Sequence, residues 1–132
     1  MKTIQIKVKN KSSNYAVIIG SNILNILPGK IRTLCPKARK VGIVIDKNIP
    51  KKYKIKIKKI LTKYQVYTFE YATSEKLKSF SKINELTEKC LYRNFNRVDV
   101  LIALGGGVIG DFTAFAASII KRGINFINIP ST

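Results

Sequence analysis

Apolar and polar residues alternate from Ile4 to Lys9, with Ile4, Ile6 and Val8 interleaved with Gln5, Lys7 and Lys9. A second apolar run, Tyr15-Ala16-Val17-Ile18-Ile19, follows the polar segment Asn10 to Asn14. A period of two belongs to strands, so the chain is predicted to open with an antiparallel hairpin joined by a polar turn. Gly20-Ser21 punctuates the pattern. Ser21 is placed as the N-cap of a short helix carrying Ile23, Leu24 and Leu27, which breaks near Pro28-Gly29 or continues toward Leu34 before Cys35-Pro36.

Val41-Gly42-Ile43-Val44-Ile45 is apolar apart from its glycine and ends at Asp46, the pattern of a parallel strand covered on both faces. Over Lys51 to Lys63, strand spacing competes with helical spacing. The longer recurrence of Tyr53, Ile57, Ile60, Leu61 and Tyr64 favours a basic, exposed helix. Gln65 to Phe69 resembles a further strand, and Ser74-Glu75 is expected to start a helix with Ile83, Leu86 and Leu91 on one face. Val98 to Leu104 is predicted as a strand running into Gly105-Gly106-Gly107 and a small-residue helix from Ile109 to Lys121. Gly123 then caps the helix and Ile124 to Ile129 forms a last strand. Strands alternating with helices predict an α/β fold: a Rossmann-like, mostly parallel sheet with flanking helices and an amino-terminal β-hairpin.

The length of 132 residues suits one domain, and 45% hydrophobic against 24% charged residues lies outside the disordered regime. The formal charge of +18 first suggests nucleic acid or an anionic membrane surface. That reading weakens because the basic residues include only five arginines, Arg32, Arg39, Arg93, Arg97 and Arg122, and base-edge and bidentate phosphate recognition favours the arginine fork. Abundant Lys, Ile and Asn together fit a drift toward A/T-rich codons, so nucleic acid is not the expected partner; a basic nucleic-acid-binding module using the Lys51 to Lys63 helix remains the alternative of a different class. Cys35 and Cys90 form no C-x-x-C pair and are expected to be reduced, buried thiols. With no histidine in the chain, imidazole supplies neither a general base nor a metal ligand. No apolar stretch reaches the ~18 residues of a membrane span, and the first residues lack a secretory core, so a cytoplasmic location and no membrane partner are expected.

Gly105-Gly106-Gly107-Val108-Ile109-Gly110 satisfies G-x-G-x-x-G directly after a predicted strand and at the opening of a helix. Glycine lets the backbone approach a pyrophosphate closely, and the helix start offers free N–H groups and the positive end of its dipole. A turn serving only helix–strand packing is the bland alternative. No Asp or Glu follows Asp111, so a ribose partner must lie upstream. Asp46, with Asn48, stands at the carboxyl end of a parallel strand, where such sheets bind ligands, although Asp46 could equally serve its own turn. Asp111 near the helix start could simply offset the dipole, for about 0.3 to 1 kcal/mol.

Gly105-Gly106-Gly107-Val108-Ile109-Gly110-Asp111, Phe115-Ala116-Ala117, Arg122-Gly123 and Pro130-Ser131-Thr132 resemble, in order and spacing, the central signature of 3-dehydroquinate synthases. Glu75-Lys76-Leu77-Lys78-Ser79 is similar to the family's acidic-x-x-Lys-Ser segment, and Asp46-Lys47-Asn48 to its adenosine-binding turn. The resemblance implies NAD contacts from Asp46, Asn48, Glu75, Lys78, Gly106, Gly107, Val108, Asp111, Ser131 and Thr132, with Ser131-Thr132 replacing the usual Thr-Thr. It implies no catalytic and no metal-binding residue within the chain. The family uses NAD to cyclise a phosphorylated seven-carbon keto sugar acid to 3-dehydroquinate with loss of phosphate, in the shikimate pathway. Its divalent metal, zinc or cobalt, and most substrate-binding residues lie in a helical second domain. That domain is absent here, so residues 1–132 are expected to be an NAD-binding domain truncated at its carboxyl end, inactive alone, with a homodimer as a candidate assembly. Other sugar-phosphate cyclases and metal-dependent alcohol or glycerol dehydrogenases share Gly-Gly-Gly-x-x-x-Asp; the dehydrogenases usually place Ser where Val108 stands.

Overall fold

A computed structural model describes residues 3–10 and 14–131. Strands β1 (Thr3–Lys9) and β2 (Asn14–Gly20) pair antiparallel, as the alternation predicts; residues 11–13 of the expected turn lie outside the described residues. The register sets Ile4, Ile6 and Val8 opposite Ile19, Val17 and Tyr15, so all six share one face of the ribbon.

After β2 a 3-10 turn, Ile23–Ile26, leads into α1 (Leu27–Leu34). Ser21 is not its cap: the capping position belongs to Asn22, in the left-handed conformation at φ 54 and without a side-chain bond. Pro28 falls in the first turn of α1, where its missing N–H costs nothing, so the helix continues rather than breaks. The remaining elements are β3 (Lys40–Asp46), α2 (Lys51–Ile60), β4 (Gln65–Tyr71), α3 (Phe80–Tyr92), β5 (Val100–Gly105), α4 (Gly107–Ile119) and β6 (Asn125–Pro130).

Two expected elements are displaced. α3 does not start at Ser74-Glu75; Glu75–Leu77 forms a separate 3-10 turn, and Ser79 caps α3 by accepting the Lys82 N–H at 3.2 Å. Its buried side chains are Ile83, Leu86 and Cys90, whereas Leu91 is exposed, because a step of four from Leu86 returns to the core side and a step of five does not. α2 is helical as expected, but it is not wholly exposed: Ile57 and the following Leu61 are buried.

The large sheet is four-stranded, with order β4-β3-β5-β6 and every pairing parallel. Alternation divides its apolar side chains. Val41, Ile43 and Ile45 of β3 with Val100, Ile102 and Leu104 of β5 pack against Leu27 and Ile31 of α1 and Ile57 of α2. Val44, Leu101 and Ala103 face the other way, onto Ile83 and Leu86 of α3 and Ile109, Phe112 and Ala116 of α4. The result is a three-layer α/β/α arrangement. Gly42 lies under Leu101, Phe69 and Phe95, and a Cβ there would come within 2.6 Å of Leu101 Cδ2.

β5 begins after Asp99, not at Val98. Asp99 is buried, and its carboxylate accepts the backbone N–H groups of Arg39 at 3.1 Å, Lys40 at 2.9 Å and Asn96 at 2.8 Å. It thereby ties the start of β3 to the α3–β5 loop at the amino ends of the strands. Beyond α4 the chain reverses through Lys121, Arg122 and Gly123, all at positive φ, and Ile124 N donates to Ala117 O at 2.9 Å to start the return into β6. Gly123, at φ 114, ends the reversal as expected of a glycine cap. Cys35 and Cys90 are free and buried, as the sequence suggests. No helix among the described residues is long and apolar enough to cross a membrane.

Candidate functional site

β3 continues through α2 to β4 on one side, then the chain crosses back to add β5 and β6 on the other. The winding reverses between β3 and β5, and the carboxyl ends of strands at such a reversal form the ligand crevice of doubly wound sheets. Asp46 closes β3, and Gly105-Gly106-Gly107 closes β5 and opens α4. Ser131, beyond β6, joins the same end by donating its N–H to Gly105 O at 2.8 Å. The fold thus brings together residues far apart in the chain.

The glycines divide into two kinds. A Cβ on Gly105 would lie 3.0 Å from Ile109 Cβ, and one on Gly110 would lie 3.1 Å from Asn128 Oδ1, so packing alone accounts for both. At Gly107 a Cβ would meet nothing within 4 Å. Nothing within the described fold therefore requires glycine at this position, and the backbone there is open to approach from outside. The first N–H groups of α4 point into that space without intrahelical partners, a site suited to an anion.

Gly107, Asp111 and Phe115 form the exposed stripe of α4, four residues apart. Lys78, from the segment after the 3-10 turn, reaches Asp111, with Nζ 3.4 Å from Oδ2. Val108 is half-buried against the α3/α4 core. Next to the ion pair, Ser79, Phe80, Ile83, Phe112 and Phe115 line a groove of about 330 Å³, with Phe80 and Phe115 in edge contact at 6.5 Å. Asp46 does serve its own turn, since Oδ1 accepts the Asn48 N–H at 2.9 Å; Asn48 itself is exposed. Glu75 is exposed, and its carbonyl accepts the Lys78 N–H at 3.0 Å. Thr132 lies outside the described residues.

The sequence reading missed Asp99 as a structural group; an acid at the edge of an apolar run was the available signal. Among the described residues no three His, Cys, Asp or Glu side chains group closely enough to hold a metal ion.

Residues 68–132 match the family model described as 3-dehydroquinate synthase N-terminal. The chain is 42% identical over 132 residues to 3-dehydroquinate synthase of Pelagibacter ubique, covering all of this chain and 36% of that protein. It is 32% identical to 3-dehydroquinate synthase of Geobacillus kaustophilus, covering 98% of this chain and 36% of the relative. The chain thus spans just over a third of the curated relatives it matches. A crystal structure of 2-deoxy-scyllo-inosose synthase complexed with carbaglucose-6-phosphate, NAD+ and Co2+ superposes with a TM-score of 0.86 at 21% identity, over 98% of this chain and 35% of that one. At that identity the likeness establishes the fold. The chain is thus similar over its whole length to 3-dehydroquinate synthases and matches the amino-terminal model of that family over residues 68–132.

Proposed function

We propose that this chain is the NAD-binding domain of a 3-dehydroquinate synthase, a carbon–oxygen lyase that cyclises a phosphorylated seven-carbon keto sugar acid with loss of phosphate. The observation that carries the reading is the open approach to Gly107, at the amino terminus of α4 and at the reversal point of the sheet. A pyrophosphate fits there. Gly106, Gly107 and Val108 bring backbone N–H groups to it, with no side chain in the way at Gly107. Asp46 keeps its second carboxylate oxygen for the ribose hydroxyls while the first holds the turn, and Asn48 adds an amide beside it. Glu75, Lys78, Asp111 and Ser131 are assigned to the remainder of the dinucleotide, and the family resemblance adds Thr132.

NAD supplies a reversible hydride acceptor that makes the elimination possible and is regenerated in each turnover. This chain's contribution is to hold it. Metal-dependent steps and most substrate contacts are assigned to the part of such proteins that this chain, spanning 36% of its relative, does not cover. The family's metal there is zinc or cobalt. The residues of the central signature favour 3-dehydroquinate synthesis over other cyclisations of sugar phosphates, as does the 42% identity to a 3-dehydroquinate synthase. We place the protein in the cytoplasm.

Calorimetric titration of NAD into the purified chain tests the binding role. Saturable binding is expected, and a folded chain that gives no heat and no shift in melting temperature with NAD would overturn it. Turnover of the sugar-acid substrate by the 132 residues alone would refute the assignment of catalysis to further polypeptide.

A further inference from the structure

Asp111 is the only charged residue of α4, and it sits one turn beyond Gly107 on the exposed stripe. Helical Cα–Cβ bonds tilt toward the amino terminus, so a side chain covers the turn that precedes its own Cα. The Asp111 carboxylate therefore leans over the space that a diphosphate would enter. Two like charges placed side by side oppose each other. Lys78 Nζ stands 3.4 Å from Asp111 Oδ2, in a pair whose side chains are 43% and 73% exposed. Such an exposed pair adds little to stability, so folding gives no strong reason for it.

We propose that Lys78 is a positioning residue whose task is to neutralise Asp111, so that the amino terminus of α4 can accept the diphosphate of a dinucleotide. The inference rests on the NAD-binding reading. It assigns Lys78 an action chiefly through Asp111 rather than through direct contact with the ligand, and it makes the two residues energetically coupled. Once Asp111 loses its charge, Lys78 becomes largely dispensable.

The experiment is a double-mutant cycle on the intact chain, with NAD affinity measured for wild type, Lys78→Gln, Asp111→Asn and the double variant. Asn keeps an acceptor oxygen and removes the charge. Lys78→Gln is expected to weaken NAD about tenfold in the wild-type background and less than about twofold beside Asp111→Asn. The wild-type effect should shrink as salt rises, and Lys78→Arg should restore affinity. Adenosine, which lacks the diphosphate, should bind all four proteins alike. An equal or larger loss on Lys78→Gln in the Asp111→Asn background would overturn the inference, because it would mean that Lys78 acts on the ligand alone. So would a wild-type chain indifferent to Lys78→Gln. Absence of NAD binding by the wild type would overturn the underlying reading, and this inference with it.

Discussion

Replacing Gly107 by Ala separates ligand approach from packing, because stability and affinity should move in opposite directions. The added Cβ meets no atom within 4 Å, so nothing in the fold resists it. Alanine in the first turn of a helix also loses less backbone entropy than glycine, which favours the variant by up to about 1 kcal/mol. The same methyl stands where a phosphate would rest against the backbone. Forcing one extra carbon into a filled contact costs about 1 to 3 kcal/mol, which corresponds to a loss of roughly 5-fold to 150-fold in NAD affinity. Gly105→Ala is the internal control. Its Cβ would lie 3.0 Å from Ile109 Cβ, which is fixed to the α4 backbone and cannot swing aside, so stability should fall by about 1 to 3 kcal/mol. Urea unfolding gives the stabilities and calorimetry the affinities. If Gly107→Ala binds NAD as tightly as wild type, the open space over Gly107 is not where the dinucleotide lies.

Asp99→Asn should cost about 1 to 3 kcal/mol, because an amide cannot accept all three backbone N–H groups that the carboxylate holds; an unchanged urea midpoint would show that these bonds are not needed. A disulfide reagent at pH 8 should label neither Cys35 nor Cys90 until denaturant is added, since both are buried, and labelling of the native chain would contradict that packing. Burial pushes the Cys90 thiol up from 9.0 to about 12, and it raises Cys35 and Tyr71 as well. These groups keep their protons in the folded state while the unfolded chain loses them. Their contribution is therefore fully present below the ordinary thiol range and falls away as pH rises from about 9 toward 12. The urea midpoint should decline over that alkaline range, more gently in Cys90→Ala, and parallel curves for the two proteins would refute the assignment. On the acid side, Lys89 and Lys82 hold Glu85 below the usual carboxylate range, so stability from this group should be lost as pH falls through that lowered value. Glu85→Gln should remove that acid dependence in a pH series of melting curves.

The glycine turn was legible because its setting is local: Gly105 to Asp111 follow a strand and open a helix, and both neighbours show strong patterns. Asp46 was legible for the same reason, as the acid that ends a doubly buried strand. The limits of α3 were not. Ser74 and Ser79 are both acceptable caps followed by helix-compatible residues, and the choice falls to Ser79 because Leu77 is buried in the core from a separate 3-10 turn. At Pro28 the sequence allowed either a break or a continuation toward Leu34, and the structure takes the second, with Pro28 in the first turn of α1, a choice that depends on where the preceding turn ends.

The sequence by itself determined the alternation of strands and helices, the parallel sheet with its opening hairpin, the glycine turn and the family resemblance, since each of these is written in local spacing along the chain. Only the tertiary structure decided which strands are neighbours, and with that the meeting of Asp46, the glycine turn and Ser131 at one crevice. It also decided that Gly105 and Gly110 serve packing while Gly107 faces open space, that Asp99 is a buried anchor, and that Lys78 pairs with Asp111. Periodicity reports which way a side chain faces, whereas the distance to a residue thirty or sixty positions away is set only when the layers close on one another.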